Sequence, residues 1–272
     1  MKLSRRTITA FRKKIYCHYA AHKRDLPWRS TCDPYRIVVS EIMLQQTQVD
    51  RVIPKYRHFI CAFPDFSALA AAPLNTVLSF WHGLGYNRRA LSLKKLAHQV
   101  VDLHNGMLPD SLEGLLALPG IGIATASSIS AFAFNKPVVF IETNIRTVFI
   151  HEFFGTMKNV DDKEVAALAE QVLDKKNPCK WYNALMDYGV MLKRNYPNPS
   201  RKSAQYAKQS RFEGSHRQVR GMVLKTLLKE KSLTQKQLIA CIDKEESSIL
   251  SALDDLIRDR LVSSKKGEIS IA

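Results

Sequence analysis

A helical periodicity that continues almost without interruption over residues 35–135 is the feature that most constrains how this chain folds. Apolar residues recur there at steps of three and four, as at Val77, Phe80 and Leu84, which is the spacing of one helix face. Prolines and glycines divide the run near residues 64, 73, 83–85 and 105–109. Several short helices are therefore predicted, and a hydrophobic content of 46% in 272 residues supplies material for a buried core.

The flanking segments continue this pattern. Residues 7–22 are basic and amphipathic and predict a first helix, and residues 162–173 and 181–192 predict two more. Asp110, followed three residues later by Glu113, has the spacing of a capping box and indicates a helix start. Residues 193–215 are polar and basic, which indicates a linker or a segment wrapped over the surface.

Residues 216–272 have the pattern of a separate small module. Helices are predicted over 219–228, from Leu233 and Thr234 onward, and over 245–257, followed by two short strands around a Ser-Ser-Lys-Lys-Gly turn. Three helices and a hairpin is the order of a winged helix, a variant of the helix-turn-helix. Such modules bind DNA or dock proteins. The third helix carries more acidic than basic residues, and both interpretations stay open.

The net charge of +16 is concentrated in two segments. Residues 1–30 hold nine Lys and Arg against one acid, and residues 191–230 hold ten against two, so each segment carries +8 and the remainder is neutral. Local basic clusters on a neutral body favour a polyanion, and hence nucleic acid, as the partner. Nothing in the sequence indicates more than a monomer.

Cysteine usage and the lack of long apolar runs limit the cellular setting. The five cysteines are scattered and form no CxxC pair, which indicates a reducing compartment without disulfides or an obvious metal site. No stretch approaches the roughly 20 apolar residues of a membrane helix, and the basic N-terminus lacks the apolar core of a secretory signal. We expect a cytoplasmic, nucleoid-associated protein in a bacterium or archaeon, and a nuclear or organellar one in a eukaryote.

The sequence Leu118-Pro119-Gly120-Ile121-Gly122 joins two helical patterns. Glycine adopts backbone conformations closed to other residues, and a helix that starts near Ile123 would present N–H groups without intrahelical partners beside the turn. Backbone groups of this kind bind a DNA phosphate, and such a loop could also hold a monovalent cation. By itself, the segment could equally be an ordinary tight connection between helices.

Twenty residues after Gly122 follows the segment Ile141-Glu142-Thr143-Asn144-Ile145-Arg146. Together with the glycine turn, it resembles the helix-hairpin-helix (HhH-GPD) DNA glycosylase superfamily, which includes endonuclease III and MutY. The resemblance implies that Glu142 is the essential acid, that Asn144 acts beside it in catalysis, and that Arg146 contacts DNA. The family's usual acid is Asp, so the extra methylene of Glu142 implies a shifted pocket or an altered activity.

A second segment, residues 39–49, is close to the one that identifies MutY-type adenine glycosylases. Residues 24–29, 33–35, 81–86 and 182–189 also resemble that family, so the resemblance runs from about residue 20 to residue 192. It implies that Glu41 is the acid that protonates the leaving base and that Glu142 is the carboxylate that faces the sugar. A salt-bridged helix residue is the alternative interpretation of Glu41.

The implied reaction requires two carboxylates with opposed tasks. Cleavage of an N-glycosidic bond places positive charge on the sugar and negative charge on the base, so an acid protonates the base while an ionised carboxylate stabilises the sugar. Different environments keep one carboxyl protonated and the other ionised. The base must first leave the duplex, at a cost of roughly a few kcal/mol, and we expect Glu41 and Glu142 to converge on that nucleotide.

The resemblance also implies contacts with DNA. Gln45 or Gln46, and Tyr86, occupy the family's positions for stacking and wedging, with core packing as the alternative for Tyr86. Arg88 and Arg89 follow in a loop and are predicted to contact phosphate, which is an electrostatic and salt-sensitive role. The other predicted DNA-binding residues are Leu118, Gly120, Gly122 and Arg146.

Two features of the family are missing. Bifunctional relatives carry a hairpin lysine that attacks the sugar, and Ala124 stands at that position, so we predict a monofunctional glycosylase without strong lyase activity. In the family, four cysteines hold an iron–sulfur cluster. The matching positions here cannot supply thiolates, so we predict no cluster and no other metal; they are Lys193, Ser200, Ser203 and Gln209.

The sequence thus predicts an all-α, two-subdomain helix-hairpin-helix glycosylase fold with a C-terminal winged-helix (α+β) module. Residues 31–137 form a helical barrel subdomain that contains the hairpin, residues 1–30 and 138–215 form a second helical subdomain built from both ends, and residues 216–272 form the module.

The predicted function is base-excision repair of double-stranded DNA that contains a mismatch or lesion. The resemblance favours hydrolytic release of adenine opposite guanine or 8-oxoguanine. One alternative is a glycosylase for another lesion, such as a deaminated or alkylated base. A second is a non-catalytic DNA lesion-binding protein. A third, disfavoured by Ala124, is a bifunctional lyase of the endonuclease III type.

Overall fold

The computed structural model describes residues 1–207 and 211–272. The helices of the N-terminal half are α1 Arg5–His22, α2 Pro34–Leu44, α3 Val49–Ala62, α4 Phe66–Ala71, α5 Leu74–Trp81, α6 Arg88–His104, α7 Leu112–Leu116 and α8 Ile123–Ala133. They are followed by α9 Thr143–Phe149, α10 Asp162–Val172, α11 Pro178–Asn195, α12 His216–Glu230, α13 Gln235–Ala240 and α14 Glu246–Arg258. The strands are β1 Ser232–Thr234, β2 Val262–Lys265 and β3 Glu268–Ile271. Single turns of 3₁₀ helix lie at Pro27–Arg29 and Pro199–Lys202, and one of π-helix at Ile150–Phe154.

This element order confirms the predicted all-α fold with a small C-terminal α+β module. The helices predicted over 7–22, 162–173 and 181–192 are α1, α10 and α11, each within a few residues at either end. Among the described residues, none of the helices combines the length and the apolar character that a bilayer crossing needs.

The chain divides into two compact units. The first comprises Met1–Val38, Asp110–Ala117 and Ile121–Lys208, and the second comprises Val39–Pro109, Leu118–Gly120 and Gln209–Ala272. The three domains predicted from the sequence, with boundaries after residues 30, 137 and 215, stay a prediction.

The core of the first unit is an aromatic cluster formed by α1, α9 and α11. Phe11 of α1 packs against Phe149 of α9 and Trp181 of α11, with ring centroids 5.8 and 5.9 Å apart, and all three side chains are buried. Helices α9 and α11 lie so close that a Cβ added at Gly189 would stand 2.4 Å from the carbonyl oxygen of Asn144. Glycine at 189 is therefore a requirement of this packing.

The buried carboxylate of Asp187, on α11, ties the N-terminal segment to the same unit. It accepts hydrogen bonds from the backbone N–H of Arg24 at 3.0 Å and from both terminal nitrogens of Arg29 at 2.8 and 2.9 Å. Burial alone would raise the pKa of Asp187, but the hydrogen bonds from Arg29 and Arg24 outweigh it and hold the pKa below its ordinary value. The motif at residues 24–29 thus has a structural role here.

The second unit is built around α3, α5 and α6 together with the C-terminal module. Phe59 of α3 packs edge-on against Trp81 of α5 with ring centroids 6.0 Å apart. In the module, α12 packs against α14 and against the sheet, and α12 also contacts α5. The apolar core of the module is Val223, Leu227, Leu256 and Ile269, all buried.

One local prediction was confirmed in part and one was wrong. The short helix predicted from Leu233 and Thr234 onward is α13, for which Thr234 is the N-cap and accepts from the N–H of Gln237. Leu233 and Thr234 themselves form β1, whose backbone pairs antiparallel with β3. Helix α7 is capped by Ser111, which accepts from the N–H of Gly114 at 3.0 Å. Asp110 instead pairs with Lys136 at 2.8 Å, because the helix starts one residue later than the sequence spacing indicated.

Candidate functional site

The turn between α7 and α8 is the predicted phosphate-binding hairpin. Gly120 has a φ of +80°, and a Cβ there would stand 2.7 Å from the Cβ of Ser92 on α6, so both backbone conformation and packing require glycine. Gly122 has a φ of −96°, which any residue adopts, so the predicted conformational need for glycine at 122 is wrong. Among the residues that the structure describes, none beyond the two chain neighbours of Gly122 comes within 4 Å of a Cβ placed there, so this position is open.

The residues around the turn divide into buried and exposed positions. Leu118 is buried, so its side chain anchors the turn, and only its backbone could serve the predicted DNA contact. Ile123, the first residue of α8, is 62% exposed, and Ala124 beside it is exposed too. The first N–H groups of a helix have no intrahelical acceptors, and here they lie at an exposed helix start that suits an anion.

Glu142 is the N-cap of α9. One carboxylate oxygen accepts from the backbone N–H groups of Asn144 at 2.7 Å and Ile145 at 2.8 Å, and the other accepts from the side-chain amide of Asn144 at 3.2 Å. The carboxylate thus folds back over the start of its own helix. Three donors and the positive end of the helix dipole complement its negative charge.

Lys193, at the C-terminal end of α11, completes this arrangement. Its ammonium donates to the side-chain oxygen of Asn144 at 2.8 Å. Burial lowers the pKa of Lys193, the carboxylate of Glu142 raises it, and the guanidinium of Arg146 lowers it, with a net result below the ordinary value. The set Glu142, Asn144 and Lys193 is called the carboxylate network below.

Arg146 lies near the carboxylate network but is engaged elsewhere. It forms a two-pronged ion pair with Asp162 of α10, at 2.6 Å for both contacts, and its side chain is only 15% exposed. The hydrogen bond that Arg146 donates to Asp162 raises the pKa of Arg146 against the effect of burial. In the free protein, Arg146 thus forms an internal ion pair that fixes the start of α10 against α9, and its contact with DNA stays a prediction.

Glu41 lies on α2 between the buried residues Ser40 and Ile42 and is itself half-buried. It belongs to the second unit, whereas Glu142 belongs to the first. The convergence of the two carboxylates on one nucleotide accordingly stays a prediction.

Arg89, on the first turn of α6, organises two loops of the second unit. One terminal nitrogen donates to the carbonyls of Ile42, Met43 and Gln45 at 2.8, 2.9 and 2.6 Å. The other donates to the hydroxyl of Thr47 at 3.0 Å and to the carbonyl of Gly85 at 3.1 Å. Burial lowers the pKa of Arg89 to about 10. In the free protein the guanidinium is committed to acceptors inside the protein, and the phosphate contact of Arg89 stays a prediction.

The two loops held by Arg89 contain the predicted wedging residues. Gln46 has a φ of 54° and is exposed, and Tyr86 has a φ of 48° and is half-buried. Non-glycine residues in this left-handed region are uncommon and occur often at functional sites. Gln45 is half-buried, and its backbone carbonyl is one of the acceptors of Arg89.

Tyr86 also contacts the C-terminal module. Its hydroxyl accepts from Arg217 of α12 at 2.8 Å, and the guanidinium of Arg217 lies 5.8 Å from the centre of its ring. Arg88 reaches Asp259 at the end of α14 at 3.4 Å, but its side chain remains 75% exposed. Arg88 therefore stays a predicted phosphate contact.

Three residues of these networks were not predicted from the sequence. Lys193 was noticed only as a position that lacks a cysteine, although it follows Gly189 by four residues and so shares a helix face with it. Arg217 and Asp187 could not be assigned because their partners lie far away in the sequence, and no local signal marks them.

The segment that matches the family's cluster loop does not fit a metal cluster. Lys193 is engaged with Asn144, while Ser200 and Ser203 are buried and hydrogen-bonded to Asn198 and Gln205. Gln209 lies outside the described residues. Among the residues that are described, no group of three or more His, Cys, Asp or Glu is placed to hold a metal ion.

Comparison with known proteins agrees with the geometry. The model of the HhH-GPD superfamily of base excision DNA repair proteins matches residues 39–175. An adenine DNA glycosylase of Buchnera aphidicola subsp. Baizongia pistaciae is 36% identical over 181 residues, which are 65% of this chain and 50% of that protein. The chain thus spans about half the length of this relative.

Two further proteins match over a larger part of their length. An adenine DNA glycosylase of Mycolicibacterium smegmatis is 31% identical over 276 residues, 90% of this chain and 89% of that protein. The structure of a thermostable thymine-DNA glycosylase has a TM-score of 0.63 and 28% identity, covering 68% of this chain and 86% of that one.

The glycine hairpin, followed by a carboxylate at the start of a helix, is the arrangement expected of a helix-hairpin-helix protein. This chain belongs to the HhH-GPD superfamily of base excision DNA repair proteins.

Proposed function

We propose that this protein is a monofunctional DNA glycosylase that releases adenine mispaired with guanine or 8-oxoguanine from double-stranded DNA. The observation that carries the proposal is the placement of Glu142, whose carboxylate is held at the start of α9 by three donors. The adenine DNA glycosylases that resemble the chain at 31 and 36% identity support adenine as the base.

In this proposal Glu142 faces the sugar. Departure of the base leaves an oxocarbenium-like sugar, and a carboxylate fixed by backbone donors offers negative charge without first having to reorient. Glu41 protonates the leaving base, so that it departs neutral. The hairpin at 118–122 holds a phosphate through backbone N–H groups, and Arg88 adds an electrostatic contact.

The protein is proposed to act without a covalent amine intermediate and without an iron–sulfur cluster. Ala124 supplies no amine at the hairpin, so release of the base is hydrolytic and leaves an intact strand with an abasic site. In support of this proposal, backbone hydrogen bonds tie the 193–205 segment to Val160, which pairs with the carbonyl of Lys202 and the N–H of Ala204, both at 2.9 Å.

A second candidate substrate is thymine in a mismatch. The observation in its favour is the similarity to a thymine-DNA glycosylase at 28% identity and a TM-score of 0.63. Alkylated and deaminated bases are further candidates of the same reaction type.

A panel of duplexes tests the proposal. Each duplex carries one mismatch or lesion and is incubated with the full chain, with and without alkali to cut abasic sites. We expect cleavage only after alkali, and fastest for adenine opposite 8-oxoguanine or guanine. Glu142→Gln should bind the same duplex with unchanged affinity and release no base. Release of thymine alone would select the second candidate, and no release from any duplex would favour a lesion-binding protein.

A borohydride trap tests the proposed absence of lyase chemistry. A Schiff base between an amine and the sugar is reduced to a stable adduct, so we expect no protein–DNA adduct when borohydride is added during the reaction. Abundant adduct, or strand cleavage without alkali, would show a bifunctional enzyme. Iron measured in the purified protein tests the absence of a cluster: a stoichiometric amount would contradict it.

A further inference from the structure

Lys193 is connected to Glu142 through a single side chain. The ammonium of Lys193 donates to the oxygen of the Asn144 amide at 2.8 Å, and the nitrogen of the same amide donates to Glu142 at 3.2 Å. If the amide were turned over, its oxygen would face the carboxylate and its NH₂ group would face the ammonium. Both contacts would be repulsive, so the charge of Lys193 fixes which end of Asn144 meets Glu142.

The backbone brings these groups together without strain on the lysine. Gly189 and Lys193 lie four residues apart on one face of α11. Gly189 allows this face to approach the carbonyl of Asn144, and Lys193 then reaches the side chain of the same residue. An amine at 193 therefore falls beside Asn144 because of helix spacing.

Among the described residues near the carboxylate network, Lys193 is the charged group that donates a hydrogen bond into it, whereas Arg146 acts on Glu142 only through its charge. Arg146, on α9, is paired with Asp162 of α10. Lys202, in the 3₁₀ turn, donates to the carbonyl of Gly155, and Glu152, in the π-helical turn, accepts from Lys14 at 2.8 Å. Each of these charged groups has a partner outside the network.

We propose that Lys193 is a positioning residue for Glu142: through Asn144 it holds the carboxylate in the orientation that serves base release. This inference rests on the proposed function. By the resemblance, position 193 corresponds to a cluster cysteine in relatives, and the proposal gives it a different role here. The C-terminal end of α11 would then help to hold the carboxylate of Glu142 in place.

Single-turnover base release at saturating DNA tests the inference, with Lys193→Met, Lys193→Arg and the control Lys202→Met. Loss of a hydrogen-bonded group that orients a reacting group lowers activity by about 10- to 100-fold in metal sites, and we expect a loss of about tenfold for Lys193→Met with unchanged DNA affinity. Lys193→Arg keeps the cation and should restore most of the rate. Lys202→Met removes the same charge from the same segment and should leave the rate unchanged.

A spectroscopic readout separates this inference from the proposed function. The side-chain amide signals of Asn144 in NMR spectra should move in Lys193→Met and stay in place in Lys202→Met, whether or not the protein releases a base. Unmoved amide signals, or a wild-type rate in Lys193→Met, would overturn the positioning role. An active wild-type protein with an equal loss for Lys193→Met and Lys202→Met would overturn it as well. If no duplex loses a base, the proposed function fails. The amide signals of Asn144 then still test its contact with Lys193. If Lys193→Met does not fold, the comparison of Lys193→Arg with wild type decides.

Discussion

Two clusters of this protein, one in each unit, hold charged residues in different ways. In the cluster of the first unit, acids are held by cations: Asp187 by Arg24 and Arg29, and Glu142 indirectly by Lys193. In the cluster of the second unit, a cation is held by neutral oxygens, since Arg89 donates to backbone carbonyls of the loops around Gln45 and Gly85. The first arrangement depends on the ionisation of carboxylates. The second depends on the position of the backbone and keeps its charge throughout the ordinary pH range.

The largest effect expected from this difference is that of Asp187→Asn. Breaking a buried ion pair leaves uncompensated charge and costs about 3–5 kcal/mol of unfolding free energy. Because the pKa of Asp187 is lowered in the folded protein, its contribution is present above the unfolded value of about 4 and is lost as pH falls through the folded pKa. Urea unfolding at pH 7 and at successively lower pH should show the difference from wild type shrinking below about pH 4.

Asp25→Asn is the matched control for that experiment. Asp25 is exposed, and its replacement should change the unfolding free energy by less than about 0.5 kcal/mol. A pH-independent loss in Asp187→Asn would show that the cluster acts by packing, and would remove the contrast between the two clusters.

Arg89→Met should have the next largest effect. It leaves several carbonyls without their donor, at about 1–3 kcal/mol for each that remains buried, and we expect a total loss of about 2–4 kcal/mol with no dependence on pH between 4 and 8. The neighbouring Arg88→Met is the control: its side chain is mostly exposed, so stability should hardly change.

DNA binding by the same two variants sharpens this prediction. A phosphate contact by Arg88 would reduce the slope of log affinity against log salt by about 1 in Arg88→Met, whereas Arg89→Met should leave that slope unchanged. An altered slope in Arg89→Met, without loss of stability, would support its predicted role at the phosphate.

The smallest expected effects come from adding one methyl group at three glycines. Gly189→Ala meets a backbone carbonyl and should cost about 2–3 kcal/mol. Gly120→Ala meets the side chain of Ser92 at a positive φ and should cost about 1–3 kcal/mol. Gly122→Ala meets open space and should be close to neutral in stability. Thermal unfolding of the three variants measures this order, and a destabilised Gly122→Ala would contradict it.

The sequence was sufficient for most of the helices and for the segment that carries Glu142, since both depend on local spacing. Periodicity placed α10 and α11 correctly, and the glycine turn placed the start of α8 at Ile123. Arginine roles could not be predicted in the same way. Arg89 and Arg146 stand in segments that suit DNA, but their acceptors come from residues that are distant along the chain.

The end of α11 shows a further limit of sequence reasoning. A resemblance compares each position with the residue that relatives carry there, so Lys193 was interpreted only as a missing cysteine ligand of the iron–sulfur cluster. Its contact with Asn144 depends on how closely α9 and α11 approach, which no local pattern encodes. The same holds for β1, because its partner strand β3 follows 34 residues later along the chain.

The hydrogen bond between Arg217 and Tyr86 couples the C-terminal module energetically to the loop that contains Tyr86. Tyr86 is predicted to stack or wedge against DNA, and a duplex that drew its phenol away from Arg217 would first have to break this contact. The affinity for DNA would then include the strength of an internal hydrogen bond. Linkage would make the relation reciprocal: a change that loosens α12 would favour DNA contact by Tyr86, and DNA bound to Tyr86 would loosen α12.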